Sequence, residues 1–220
     1  TRLVGSEMCI RDSYNRALKE RNAYLKFDQA KIDKNFLTVL DEQLAEHGNK
    51  IMFERKTFIE KLEIHAKKIH EQLTHGLETL KITYNQNVKT DFSKELLSRQ
   101  DHDIFRHQTT VGPHRDDLQF FINDINVADF GSQGQQRTVA LSIKLAEIDL
   151  IFEETGEYPI LLLDDVMSEL DNHRQLDLIE TSLGKTQTFI TTTTLDHLKN
   201  LPENLSIFHV TDGTIEKEKE

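Results

Sequence analysis

The chain has almost no cysteine. Cys9 stands alone among 220 residues, which excludes a disulfide framework and any metal site built from several thiolates, and which fits a reducing cytosol. No run of apolar residues approaches the roughly 20 that a membrane-crossing helix needs, so no membrane partner is expected. Positive charge is short as well: 27 Lys+Arg face 38 Asp+Glu, a net charge of −11, which argues against blanket binding to nucleic acid. The deficit is local. Residues 14–80 carry 12 basic against 11 acidic side chains, residues 81–146 carry 8 against 8, and residues 147–220 carry 5 against 17. Any DNA contact therefore belongs to the first two thirds of the chain. The ten histidines form no tight cluster; a zinc site from His102, His107 and His114 is conceivable, against the commoner reading of solvated loop histidines.

What is present is a lean globular composition, 37% hydrophobic and 30% charged, with enough chain for one large domain or two small ones. Residues 1–13 show no usable period and read as a non-native segment unrelated to the rest. From Tyr14 the pattern turns helical, with Tyr14, Leu18, Arg21 and Leu25 on one stripe. A longer amphipathic pattern covers 34–74, where Leu37, Leu40, Leu44, Ile51, Phe58, Leu62, Ile69 and Leu73 recur at steps of three, four or seven. Gly48-Asn49 interrupts it, so a bend or two helices stay open. This half is expected to form a helical lobe over 14–108, an antiparallel arm.

Beyond it the sequence predicts a strand at 79–84, a helical connection over 92–105, and a Gly112-Pro113 turn that sets Arg115, Asp116 and Asp117 between two strands. Arg115 could grip a phosphate or pair with either aspartate. Gly131-Ser132-Gln133-Gly134-Gln135-Gln136-Arg137 then precedes a helix expected over 139–152. A helix that starts at such a turn exposes unpaired N–H groups and a positive dipole end, a ready anion site; Ser132 as a plain N-cap is the bland alternative.

Ile160-Leu161-Leu162-Leu163 follows Pro159 and ends in Asp164-Asp165. An unbroken apolar run suits a strand covered on both faces in a parallel sheet, with chemistry beyond its carboxyl end. Two acids there suit a hydrated Mg2+ ion, or else a solvated acidic loop. A helix at 174–183, a strand at 186–190 ending in Thr191 to Thr194, a short helix at 195–200, a strand at 206–210 and an acidic tail at 216–220 complete an α/β alternation. The threonines could contact phosphate or water, or simply favour extended chain.

Gly112–Asp117, Ser132–Thr138 and Pro159–Asp171, in this order, together with Tyr14–Leu25 and Asp41–Ala45, resemble the C-terminal half of an ABC-type ATPase head of the SMC/Rad50 group, in its bacterial recombination-repair branch. The resemblance covers about residues 14–215. It implies an α/β head over 109–215 with the helical lobe as an insertion. It implies that Asp164 takes the Walker B magnesium position and that Asp165 orients the attacking water. Ser132, Gln133, Gly134, Gln135, Gln136 and Arg137 correspond to the signature that meets the nucleotide of a second subunit, Ser168 and Asp171 to the loop that crosses between subunits, and Thr192 to the region of a γ-phosphate sensor. His197 stands several residues past that region, so the usual switch histidine has no counterpart. The implied cofactors are ATP and Mg2+. The implied partners are junctions of single-stranded and duplex DNA, a second copy joined by ATP, RecR- and RecO-type mediators and a RecA-type recombinase.

One element of the family pattern is missing: these residues contain no Gly-x-x-x-x-Gly-Lys-Ser/Thr loop to cradle the β- and γ-phosphates. The chain is accordingly expected to be a partial head with open sheet edges and negligible ATP turnover by itself, although the complete protein should be a weak ATPase. A magnesium-dependent nuclease using Asp164 and Asp165 with Asp116 and Asp117 explains the acids but not the Ser-Gln-Gly-Gln-Gln turn. A purely structural helical arm explains only residues 14–75.

Overall fold

The apolar steps between Leu37 and Leu73 produce one uninterrupted helix, α2 (Lys34–Leu73), of 40 residues, about 60 Å long at 1.5 Å per residue. In this computed structural model, residues 2–164, 175, 178–179, 185–193 and 205–218 are described, with side chains from Ile10 onward. Asp33 caps α2 by accepting a hydrogen bond from Asn35 N at 2.8 Å, which answers one of the four open donors of a helix start. Gly48 does not break the helix. A Cβ there would lie 2.4 Å from Phe92 Cε1 and 3.2 Å from Tyr14 Cε2, so glycine serves close approach rather than flexibility. The expected stripe drifts: Phe58 is 44% exposed and Ile59 takes its buried place. A straight helix of 3.6 residues per turn cannot keep a strict seven-residue repeat on one face.

Helix α1 (Arg2–Tyr24) runs on past the expected start at Tyr14, and Ile10 packs partly buried against the core beside Tyr14. It returns along α2 in antiparallel fashion, with Arg21 bonded to Asp41 and Tyr14 over Gly48. Helix α3 (Phe92–Arg106) closes the bundle, capped by Asp91, whose Oδ1 accepts from Lys94 N at 2.9 Å. The core between the three contains Tyr14, Ala17, Leu44, Ala45, Ile51, Phe92 and Leu96. Inside it Arg21, fully buried, donates from Nε to Asp41 at 2.6 Å and from Nη1 to Asp103 and Thr109, both at 2.8 Å.

Strands β1 (Leu80–Asn85), β2 (Asp117–Ile122) and β3 (Ile125–Asn126) form an antiparallel sheet in that order, with Leu80 opposite Ile122 and Asn85 opposite Asp117. Asn123 and Asp124, at φ 49° and 65°, make the two-residue turn that matches strand twist. No strand leads directly into Gly112, contrary to expectation. Residues 109–111 are a loop whose polar groups bond to Asn22 and Asp103, followed by a 3-10 turn at Pro113–Arg115. After a short helix α4 (Val127–Phe130), α5 (Gln133–Thr155) packs along α2 and buries Val139, Leu141, Leu145, Ala146 and Ile148. Gly156, in the left-handed region at φ 74°, ends it.

These elements make a first compact unit, Thr1–Pro159, and Ile160–Glu220 makes a second. The expected boundary at 108/109 falls inside the first. In the second, β4 (Leu161–Leu163) pairs in parallel with β5 (Thr188–Ile190), and β6 (Phe208–Thr211) pairs with β7 (Thr214–Lys217) across Asp212-Gly213. Glu216 and Lys217 thus belong to a hairpin strand and not to a free tail. Among the described residues the strand at 161–163 is not covered on both faces: Leu163 is 7% exposed, but Ile160 and Leu162 are 61% and 72% exposed. With only β5 beside it among the described residues, β4 buries alternate side chains. Most of the expected helix at 174–183 and all of that at 195–200 lie outside the described residues; Gln175, Leu178 and Ile179 are helical and buried.

Arg21 balances two carboxylates from which water is excluded. Arg21→Met should cost about 3–5 kcal/mol in urea unfolding, because it strands Asp41 and Asp103. Adding Asp41→Leu and Asp103→Leu should restore most of that loss; a single variant as stable as wild type would show that the two acids need no cation.

Candidate functional site

The first turn of α5 is built by sequence chemistry alone. Ser132 Oγ accepts from Gln135 N at 3.2 Å, and Gln135 Oε1 accepts from Ser132 N at 3.0 Å, a reciprocal capping box. Gln136 Nε2 donates to Val127 O at 3.2 Å and Gly131 O at 3.3 Å, which ties the turn back to α4. Gly131 has no room for a side chain, since a Cβ would sit 2.6 Å from Val127 O. The cap serves the N–H of Gln135. Those of Gln133 and Gly134 have no helical carbonyl to bond, and they lie at the positive end of a helix of 23 residues. Ser132, Gln133, Gln136 and Arg137 are exposed. What the structure shows is the N-cap, which fixes a turn whose N–H groups at Gln133 and Gly134 have no helical carbonyl partner.

The Gly112–Asp117 corner is held from several sides. Asp116 accepts from Tyr84 Oη and from Asn87 N at 2.7 Å, with Arg55 at 3.6 Å. Arg55 donates to Pro113 O at 2.6 Å, and Asn87 Oδ1 accepts from Gly112 N at 3.1 Å. Burial, followed by the bond to Asp116, pushes the Tyr84 phenol up to about 12. His114 bonds Tyr14 Oη at 2.7 Å, and its burial lowers its affinity for a proton. Asp117 Oδ1 accepts from Leu118 N at 2.9 Å. Arg115 pairs with neither aspartate; it is exposed, and its side chain has no partner among the described residues. His102, His107 and His114 bond to Thr110, Leu25 O and Tyr14 respectively, and no cluster of three metal-ligating side chains exists among the described residues.

In the second unit the parallel register that sets Leu163 opposite Ile190 brings the next residues together. Thr191 N donates to Leu163 O at 2.9 Å, and Thr191 Oγ1 donates to Asp164 Oδ1 at 2.5 Å. Asp164 is exposed at the carboxyl end of the strand pair, so its second oxygen can serve a hard cation. Thr192 is half-buried one position on. Asp165, Ser168 and Asp171 lie outside the described residues. The Thr191 bond was not among the expectations; the strand register was the missing fact, since it alone decides which hydroxyl of the threonine run stands beside Asp164.

No family model matches the chain. Among curated proteins, "DNA replication and repair protein RecF" of Lactococcus lactis is 91% identical over 206 residues, covering 94% of this chain and 58% of that protein. The proteins of the same description from Streptococcus thermophilus and Streptococcus pneumoniae are 56% and 54% identical, covering 92% and 91% of this chain and 57% of their own length. Two solved structures, described as the recombination mediator protein RecF-ATP and RecF-ATPrS in the RecFOR pathway, superpose with TM-scores of 0.79 and 0.79 at 32% and 34% identity, covering 98% and 97% of this chain and 59% of each. The chain belongs to the RecF family. It spans just under three fifths of the length of the RecF proteins it matches.

The match to RecF structures also establishes the fold class: an α/β chain of the ABC ATPase kind, with mixed helices and sheets over nearly all of its length. Against that fold the nuclease alternative loses one of its four acids, because Asp116 is engaged by Tyr84, Asn87 and Arg55, whereas exposed Asp117 accepts only from Leu118 N.

The corner separates stability from exposure. Asp116→Ala should destabilise by about 2–4 kcal/mol in urea unfolding, since a phenol and a backbone N–H lose their acceptor. Arg115→Ala should stay within about 0.5 kcal/mol of wild type. Equal losses in the two variants would show that Arg115 is a structural residue.

Proposed function

We propose that this chain supplies the signature turn and the magnesium carboxylate of an ATP-dependent DNA-binding clamp that acts in recombinational repair and replication. The observation that carries the reading is the capped start of α5, which leaves the N–H groups of Gln133 and Gly134 open behind a Ser-Gln-Gly-Gln-Gln turn. In a dimer of complete proteins these donors, with Ser132, Gln135, Gln136 and Arg137 around them, meet the γ-phosphate of ATP held by the other subunit. Phosphoryl transfer is catalysed mainly by positioning and charge neutralisation, and fixed backbone donors serve both.

Asp164 would hold Mg2+ through the oxygen that Thr191 does not use. One carboxylate with phosphate and water oxygens is an ordinary set for that ion. The ion supplies neutralisation of the β- and γ-phosphate charge. Asp165 orients the attacking water, Ser168 and Asp171 cross to the second subunit, and Thr192 lies where the γ-phosphate is sensed. ATP thereby joins two copies around DNA at junctions of single and double strands, and slow hydrolysis releases them. RecR- and RecO-type mediators and a RecA-type recombinase are the partners that follow. The first two thirds of the chain, near electrical neutrality, are where DNA is contacted.

The test uses the complete protein, with its phosphate loop, in sedimentation with and without ATP, Mg2+ and DNA. ATP should drive dimer formation, and Ser132→Arg should abolish it. Asp164→Asn should raise the Mg2+ requirement by at least about tenfold without altering the melting temperature, because an amide oxygen still accepts from Thr191. Asp165→Asn should keep the ATP-bound dimer and slow hydrolysis. Magnesium-dependent cleavage of DNA without ATP would overturn the clamp reading in favour of a nuclease.

A further inference from the structure

A chain of hydrogen bonds runs from the last turns of α2 to the first turn of α5. The Gln135 amide that closes the capping box with its oxygen also donates from Nε2 to Glu78 Oε1 at 3.0 Å. Glu78 Oε2 lies 3.2 Å from His70 Nε2, and His70 Nδ1 lies 3.0 Å from Ser142 Oγ. Ser142 donates to Thr138 O at 2.7 Å, so the chain closes on α5 itself, within one turn of Gln135. His70 and Ser142 are fully buried. A capping box in water is worth only about 1 kcal/mol, and its side chains exchange with solvent. Gln135 is different, because its second end is anchored on a residue that is held in turn by the core.

We propose that Glu78 and His70 are positioning residues for the nucleotide-facing turn. They fix the Gln135 amide with its oxygen toward Ser132 N, and so keep Ser132–Gln136 in the shape that receives a γ-phosphate from the second subunit. This rests on the signature reading of α5 given above. Without Glu78 the amide turns freely, the box opens for part of the time, and the partner subunit meets a disordered set of donors. The carboxylate suits the task because one residue presents two acceptors, one to Gln135 and one to His70. A glutamine in place of Glu78 could do the same with a carbonyl toward Gln135 and an amide N–H toward His70 Nε2, the ring proton then standing on Nδ1.

The experiment measures the ATP concentration for half-maximal dimer formation by the complete protein, beside nucleotide binding to the monomer and the melting temperature. Glu78→Ala should raise the dimerisation midpoint about tenfold, the effect of losing a hydrogen bond to a charged group, with monomer binding unchanged. Glu78→Gln should restore the midpoint to near wild type. Ser142→Ala, which loosens His70 without touching Glu78, should shift it in the same direction by about threefold, and it decides the matter if Glu78→Ala does not fold. A wild-type midpoint in Glu78→Ala, or in Ser142→Ala should that replace it, overturns the proposal. Ser132→Arg is the control: if it blocks dimerisation while these variants do not, only the positioning role fails, whereas if it too dimerises normally the signature reading fails with it.

Discussion

Arg21 is the constraint from which the first unit follows. It lies on α1, Asp41 on α2 and Asp103 near the end of α3, and a single guanidinium holds all three. Gln100 adds a bond to Asp41 at 2.8 Å, and Thr110 adds bonds to Asp103. The balance is uneven: one cation, two anions and several neutral donors. Arg21 Nη2 is buried without a partner among the described residues, so the third face of the guanidinium contributes nothing there to offset its desolvation. Hydrophobic contacts alone would let three helices slide along one another. Charges that have no water to fall back on accept only one register, and the helix ladder 14 over 48, 21 over 41 and 25 over 37 is that register.

The same register brings two glycines under two aromatic rings. Gly48 on α2 and Gly112 before the 3-10 turn each lie where a Cβ would strike Phe92 and Tyr14, at 2.4 Å and 3.2 Å in one case and 2.9 Å and 2.7 Å in the other. Gly112 also stands at φ 138°, outside the range of ordinary L residues. The rings act as a wedge between α2 and the Gly112–Asp116 corner, and the corner then needs Tyr84, Asn87 and Arg55 to hold its one inward carboxylate. Arg115 is left outward on a rigid base. Its exposure follows from the packing around it and not from looseness of the loop.

How much of this was legible in the sequence depended on the range of the interaction. Elements fixed by neighbours three or four residues apart were plain: the long amphipathic helix, the helix after Ser132 and the strands at 80–85 and 117–122. Gly48 misled because a glycine in a helix is read locally as a break, whereas here it answers a ring 44 residues away. Arg21 sat correctly on the α1 stripe, yet nothing local distinguished a buried triad from a snorkelling side chain. The apolar run before Asp164 was rightly a parallel strand, but coverage of both faces is a property of layers, and among the described residues nothing covers Leu162. At the candidate site the order of the motifs suggested roles for their residues, while Thr191 and Glu78 depended on pairing across 27 and 57 residues.

Helix α2 connects these two levels. Its first half is clamped to α1 and α3 through Asp41, and its last turns carry His70 against α5. Between Asp41 and His70 lie about 44 Å of continuous helix, with backbone hydrogen bonds that allow gentle bending but no sharp kink without a specific cause. Gly48 offers no such cause, since Phe92 and Tyr14 occupy the space a hinge would need. A helix of this kind transmits displacement rather than absorbing it. Breaking the arginine cluster would cost more than moving it as a body, so the three helices of the lobe hold together as one piece.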